Sequence, residues 1–117
     1  MGDYTARHRD GKMDTTVIER KGVGDLFNSF THEYENEKAK ILRAKEAGLH
    51  YVLAVESTPL GIRAGYKFSK KDGLSQVRQI MTISRKYGVE VWWCANREEM
   101  AFQIQEYFLV RDRMLAK

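Results

Sequence analysis

The stretch VIERKGVGD, Val17 to Asp25, opens as a buried strand, then sets a carboxylate, a guanidinium and an ammonium side by side before a glycine-rich turn. Side chains alternate across a strand, so Glu19 and Lys21 project to one face and Arg20 to the other. An acid and a base are therefore held together where a sheet ends.

Working outward, Asp3 to His8 reads as a short strand and Asp10-Gly11 as a turn, so that Thr15 to Arg20 returns as the second arm of a hairpin or slightly longer loop. Beyond the turn, Phe27, Phe30, Tyr34, Ile41 and Leu42 stand among Glu and Lys and predict a helix ending near Gly48. HYVLAVE, His50 to Glu56, is nearly continuous in apolar residues, the pattern of a strand covered on both faces, and takes the sheet centre. Residues 57–73, STPLGIRAGYKFSKKDG, carry Pro59 and three glycines and read as a long irregular surface segment. Leu74, Val77, Ile80, Met81, Ser84 and Tyr87 mark a second helix, stopped by Gly88. VEVWWCA, Val89 to Ala95, is another buried strand, whose adjacent Trp92 and Trp93 face opposite sides. Asn96 then caps a last helix with a stripe through Ala101, Ile104, Phe108 and Leu115. This order predicts an α/β sandwich: a central mixed sheet with helices on both faces.

A chain of 117 residues suits one domain, and 43% hydrophobic residues against 31% charged, with a single proline, exclude a disordered class. A lone cysteine, Cys94, excludes an internal disulfide framework and a cysteine-rich zinc module and suits a reducing compartment. No apolar run approaches the ~20 residues of a membrane span, and MGDYTARHRD lacks the apolar core of a signal peptide. The expected location is cytoplasmic or nucleoid-associated, without a membrane partner. A net charge of +4 is compatible with a polyanionic partner.

An Asp on one strand with Glu-x-Lys at the end of the next suits a divalent-metal phosphodiesterase. Two carboxylates, here Asp3 and Glu19, offer hard oxygens to Mg²⁺, and a lysine, here Lys21, can orient or deprotonate the attacking water. Taken alone, Glu19 and Lys21 also read as an exposed ion pair worth ~0 to 1 kcal/mol.

Gly2-Asp3-Tyr4, followed by Glu19-Arg20-Lys21 and Asp25, resembles the G-D-x(n)-E-R-K-x-x-x-D signature of the XPF family of structure-selective DNA endonucleases. HYVLAVES resembles that family's central apolar strand ending in an acid, and VEVWWCANREEMAFQIQEYF its last strand and following helix. The resemblance implies a restriction-endonuclease-like three-layer sandwich. Residues 1–117 would form a single nuclease domain that starts at the family's second strand and carries no helix-hairpin-helix domain. It implies Mg²⁺, with Mn²⁺ as a substitute, held by Asp3 and Glu19 with the Arg20 carbonyl as a third ligand. Lys21 would address the water and scissile phosphate, and Arg20 would make a supporting ion pair. Asp25 lies at a helix entrance, where capping and a supporting site role stand equal.

The implied activity is hydrolysis of phosphodiester bonds in branched or forked DNA; the alternative is a non-catalytic DNA-binding or dimerisation module of the same fold. The family's dimerisation through late helices implies a homodimer or heterodimer, with Tyr107, Phe108, Val110 and Met114 as surface for it.

From the residues themselves, Arg63, Lys67, Lys70 and Lys71 interleave with Tyr66 and Phe68, an arrangement able to hold phosphates and stack an unpaired base. A solvated loop is the plain alternative. Arg78 and Arg85 extend this basic track along one helix face. Glu56 is placed at the same sheet edge as Glu19, Asp14 in a turn, and His8, His32 and His50 in surface or packing roles.

Overall fold

The computed structural model describes residues 4–115, so Asp3 lies outside the described residues. The elements in chain order are β1 (Thr16–Lys21), α1 (Val23–Ser29), α2 (Tyr34–Glu46), β2 (His50–Val55), α3 (Pro59–Arg63), α4 (Gly73–Tyr87), β3 (Glu90–Trp93) and α5 (Arg97–Leu115). The sheet runs β1-β2-β3 with both pairings parallel, and Glu19 lies opposite Leu53, which lies opposite Val91. β2 is central, as its apolar run predicts.

Alternation along the strands divides the core. Val17, Leu53 and Val55 pack with Leu26 and Phe27 of α1, Ile41 of α2, Ile62 of α3 and Ile80 of α4. Ile18, Val52 and Ala54 pack instead with Cys94 and with Met100 and Ile104 of α5. Trp93 joins the first cluster and Trp92 the second, the opposite projection expected of neighbours on a strand. Cys94 is fully buried, and that burial pushes its thiol above the ordinary range.

Several expectations need correction. The described strands form a parallel sheet rather than a mixed one; among the described residues the antiparallel pairing consists of isolated bridges, Tyr4 to Ile18 and Arg7 to Met13. The helix expected through Gly48 is two helices, because the Asn28 carbonyl accepts the amides of Thr31, His32 and Glu33 and turns the chain there. Segment 57–73 contains α3: Thr58 Oγ1 accepts the Gly61 amide at 3.0 Å and Pro59 occupies the first turn, a helix-start signal hidden in a glycine-rich composition. Gly73 lets α4 start against α3, since a Cβ there would overlap the Ile62 and Arg63 carbonyl groups. β3 is half-buried rather than fully buried. On α5 the inward residues are Met100 and Ile104, with Tyr107 and Phe108 packed beside them, while Ala101 and Leu115 are exposed.

The caps at the other helix ends follow the sequence. Gly88 closes α4 with φ 68°, and Asn96 Oδ1 accepts the Glu99 amide at 2.8 Å.

A buried polar cluster ties the N-terminal segment to the end of α5. Asp14, expected in a turn, has a fully buried side chain that accepts from the Thr16 amide at 2.7 Å and from Arg111 Nε at 3.1 Å. His8 Nε2 lies 2.5 Å from Asp14 Oδ2, and His8 Nδ1 lies 3.3 Å from Asp112 Oδ1; Arg9 also pairs with Asp112 at 2.8 Å. Both ring nitrogens face carboxylates, so both must donate, which is the imidazolium form. The Asp14 hydrogen bond raises His8 above its ordinary 6.5, with burial opposing and Asp112 assisting. Burial pushes Asp14 up, but its bonds to His8, Thr16 and Arg111 outweigh that and hold it below the ordinary value; Arg9 does the same for Asp112.

The sign of the pH dependence follows. The His8 contribution is complete below pH 6.5 and is lost as pH rises through the raised folded value; the aspartate contributions are present above pH 3.8 and are lost as pH falls through the lowered ones. Amide exchange of residues 4–14, corrected for the intrinsic pH effect, is expected to speed up as pH rises through the His8 transition. A His8→Phe variant should show no such transition; an unchanged profile in that variant would remove His8 as the cause.

Candidate active site

Glu19 and Lys21 lie on the β1 face that meets α1 and α2, and they are buried, with 5% and 8% exposure. The reading of an exposed ion pair therefore does not hold. Lys21 Nζ donates to Ser29 Oγ of α1 at 2.8 Å and to Glu37 Oε1 of α2 at 2.8 Å, and it lies 3.6 Å from Glu19 Oε1. Lys40 Nζ donates to Glu19 Oε1 at 2.9 Å and lies 3.6 Å from Glu37 Oε1. Two carboxylates and two ammoniums thus neutralise one another between the sheet and α2. Burial alone would lower the Lys40 pKa, but its hydrogen bond to Glu19 and the charge of Glu37 outweigh that and raise it. Lys40 is the most exposed of the four and forms the mouth of the cluster.

Arg20 projects to the opposite face, as alternation requires. Its guanidinium is 3.7 Å from Glu56 and hydrogen-bonds the Tyr4 side chain, and these contacts hold its pKa above the ordinary value. The Glu56 amide donates to the Lys21 carbonyl at 2.9 Å, so Glu56 does share the sheet edge with Glu19; its side chain lies with Arg20 rather than with Glu19. Asp25 is exposed in the first turn of α1, whose N-cap is Gly22 without a side-chain cap, so Asp25 is not the capping residue.

Arg63 closes α3, Lys67 and Lys70 sit on the loop that follows, and Arg78 lies on α4; all four are exposed. Lys71 differs: it is half-buried, its ammonium donates to the Phe30 carbonyl at 2.8 Å and also bonds Gln79, and burial lowers its pKa. It fastens the loop rather than extending the basic track. His50 pairs with Glu90 at the surface, whereas His8 belongs to the buried cluster described above.

Sequence reading missed Ser29, Glu37 and Lys40. A signal was present: Glu37 falls between Tyr34 and Ile41 at helical spacing, an acid inside an apolar stripe, which requires a buried partner. In ENEKAK that position is masked by charged neighbours.

The Glu19 carboxylate is a hard oxygen donor of the kind Mg²⁺ takes, but its Oε1 already faces two ammoniums, Lys40 at 2.9 Å and Lys21 at 3.6 Å, and a cation would have to displace Lys40 to reach it. Among the described residues, no group of three or more His, Cys, Asp or Glu is arranged to hold a metal. No described helix is long and apolar enough to cross a membrane.

The family model described as ERCC4 domain matches residues 1–107. A search of curated proteins returned no match.

Proposed function

The chain belongs to the ERCC4 domain family, the XPF-type nuclease domain its motifs resemble, and on that premise we propose a metal-dependent endonuclease acting on branched or forked DNA. The observation that carries this reading is the buried Glu19–Lys21 pair on one face of the β1 end, with Arg20 turned away. A restriction-endonuclease-like sandwich is the matching architecture, supported by separate apolar clusters on alternate strand positions.

In this reading Asp3, which lies outside the described residues, and Glu19 would hold Mg²⁺, or Mn²⁺ in its place, and the metal would supply polarisation of the phosphate and activation of water. Ser29 and Glu37 fix the Lys21 ammonium, so its proton is held at a defined point beside Glu19. Arg20, bonded to Glu56 and Tyr4, steadies the strand end from the other face. Arg63, Lys67, Lys70 and Arg78 receive backbone phosphates without reading sequence. A dimer, with an identical or related chain, is the further expectation; of the residues expected to form it, Val110 and Met114 are exposed on α5 beside Phe102 and Leu109, whereas Tyr107 and Phe108 pack against the second core cluster.

One observation favours a second reading, a non-catalytic DNA-binding or dimerisation module: Lys40 already occupies Glu19, and the cluster is charge-neutral without a metal. Single-turnover cleavage of labelled forked DNA separates the two, with Mg²⁺, Mn²⁺ or EDTA and with Glu19→Gln and Lys21→Met. EDTA should stop cleavage, and each substitution should slow it roughly 100-fold or more. Binding of forked DNA by the native chain without cleavage in either metal would establish the module instead.

A further inference from the structure

An open cleft of about 340 Å³ lies between α1 and the loop after α3. Phe27, Tyr66 and Phe68 give it aromatic walls, and Asn28, His32 and Ser69 give it polar edges. We propose that it seats one unpaired nucleobase of a single-stranded DNA arm. This rests on the reading of the chain as a DNA-acting domain and adds to it the group that recognises unpaired DNA.

Three features point to a flat, neutral ligand. The aromatic walls are connected: Tyr66 stacks on Phe27 at 5.9 Å between centroids with 27° between planes, and Phe68 meets Tyr66 edge-on at 5.4 Å. Phe68 nonetheless leaves 74% of its surface in water, an apolar ring held out on a buried aromatic base. The backbone is also shaped for this stack, because a Cβ on Gly24 would come within 3.0 Å of Tyr66 Oη.

Charge separates base from phosphate. Asp25 also lines the cleft, so an anion is disfavoured inside it, while Lys67 and Lys70 are exposed on the adjoining loop. Lys67 Nζ lies over the Phe68 ring, 4.9 Å from its centroid, so a cation already sits on a face of that ring and a base stacking there would share or take its place. The amide of Asn28, the imidazole of His32 and the hydroxyl of Ser69 offer both donors and acceptors to the edge of a base. Stacking of a base on an aromatic ring tolerates any sequence, which suits recognition of DNA by structure.

The test uses the full chain with two probes: a blunt duplex, and the same duplex carrying a single-stranded arm with 2-aminopurine near the junction. Binding should quench the 2-aminopurine, and Phe68→Ala should reduce the preference for tailed over blunt DNA about 10-fold, a typical stacking loss. Phe68→Trp should restore the preference, and an abasic site in place of the 2-aminopurine should weaken the native chain by a similar factor. Since Phe68 is exposed, its replacement leaves the fold intact, verified by an unchanged thermal midpoint. If the native chain binds and cuts DNA but neither Phe68→Ala nor the abasic arm alters the preference, the pocket is overturned while the nuclease reading stands. Failure of the native chain to bind either probe overturns both.

Discussion

Glu37→Ala is expected to lower the unfolding free energy by about 3–5 kcal/mol, the cost of leaving a buried charge without its partner. Glu37 is 6% exposed and accepts the Lys21 ammonium at 2.8 Å. Its removal leaves Lys21 with Ser29 and a more distant Glu19, while Lys40 loses its second carboxylate. Urea unfolding followed by circular dichroism measures the loss. The pair Lys21→Met with Glu37→Met should be far less destabilised than the sum of the single changes, since the charges leave together. Additive losses would show that the two residues do not act as a pair.

Phe27→Ala should cost a similar ~3–5 kcal/mol through loss of a buried ring and the cavity left behind. Phe27 is 1% exposed, packs in the cluster between the sheet and α1 to α4, and supports Tyr66 from below. The same change should therefore loosen the loop after α3 and increase proteolytic cleavage at Lys67 and Lys70 under native conditions. A loss of stability below ~1 kcal/mol would mean that the surrounding side chains collapse into the space, which a close-packed core resists.

The two variants act on the site from different sides. Glu37 bears on the charge balance around Glu19, whereas Phe27 bears on the aromatic base beneath the exposed Phe68. Retention of the fold by Lys21→Met would allow its effect on cleavage to be read as chemistry rather than unfolding.

Much of this protein was legible in its sequence because the relevant rules are local. Strand alternation alone put Glu19 and Lys21 on one face and Arg20 on the other, and the pairings with Glu37 and Glu56 agree. The apolar run at His50 to Val55 marked the central strand, and Gly88 and Asn96 marked helix ends, since burial on both faces and capping each leave a short-range signature. The break between α1 and α2 depended on one carbonyl gathering three amides, and α3 on a Thr-Pro start that glycine content concealed. What only the tertiary structure decided was the company each charge keeps. Glu37 and Lys40 reach Glu19 and Lys21 across 16 to 21 residues, and His8 reaches Asp112 across 104. Whether a charged residue is solvated or buried against a partner is set by which helix packs over it, and helical or strand periodicity in one segment carries no record of the other.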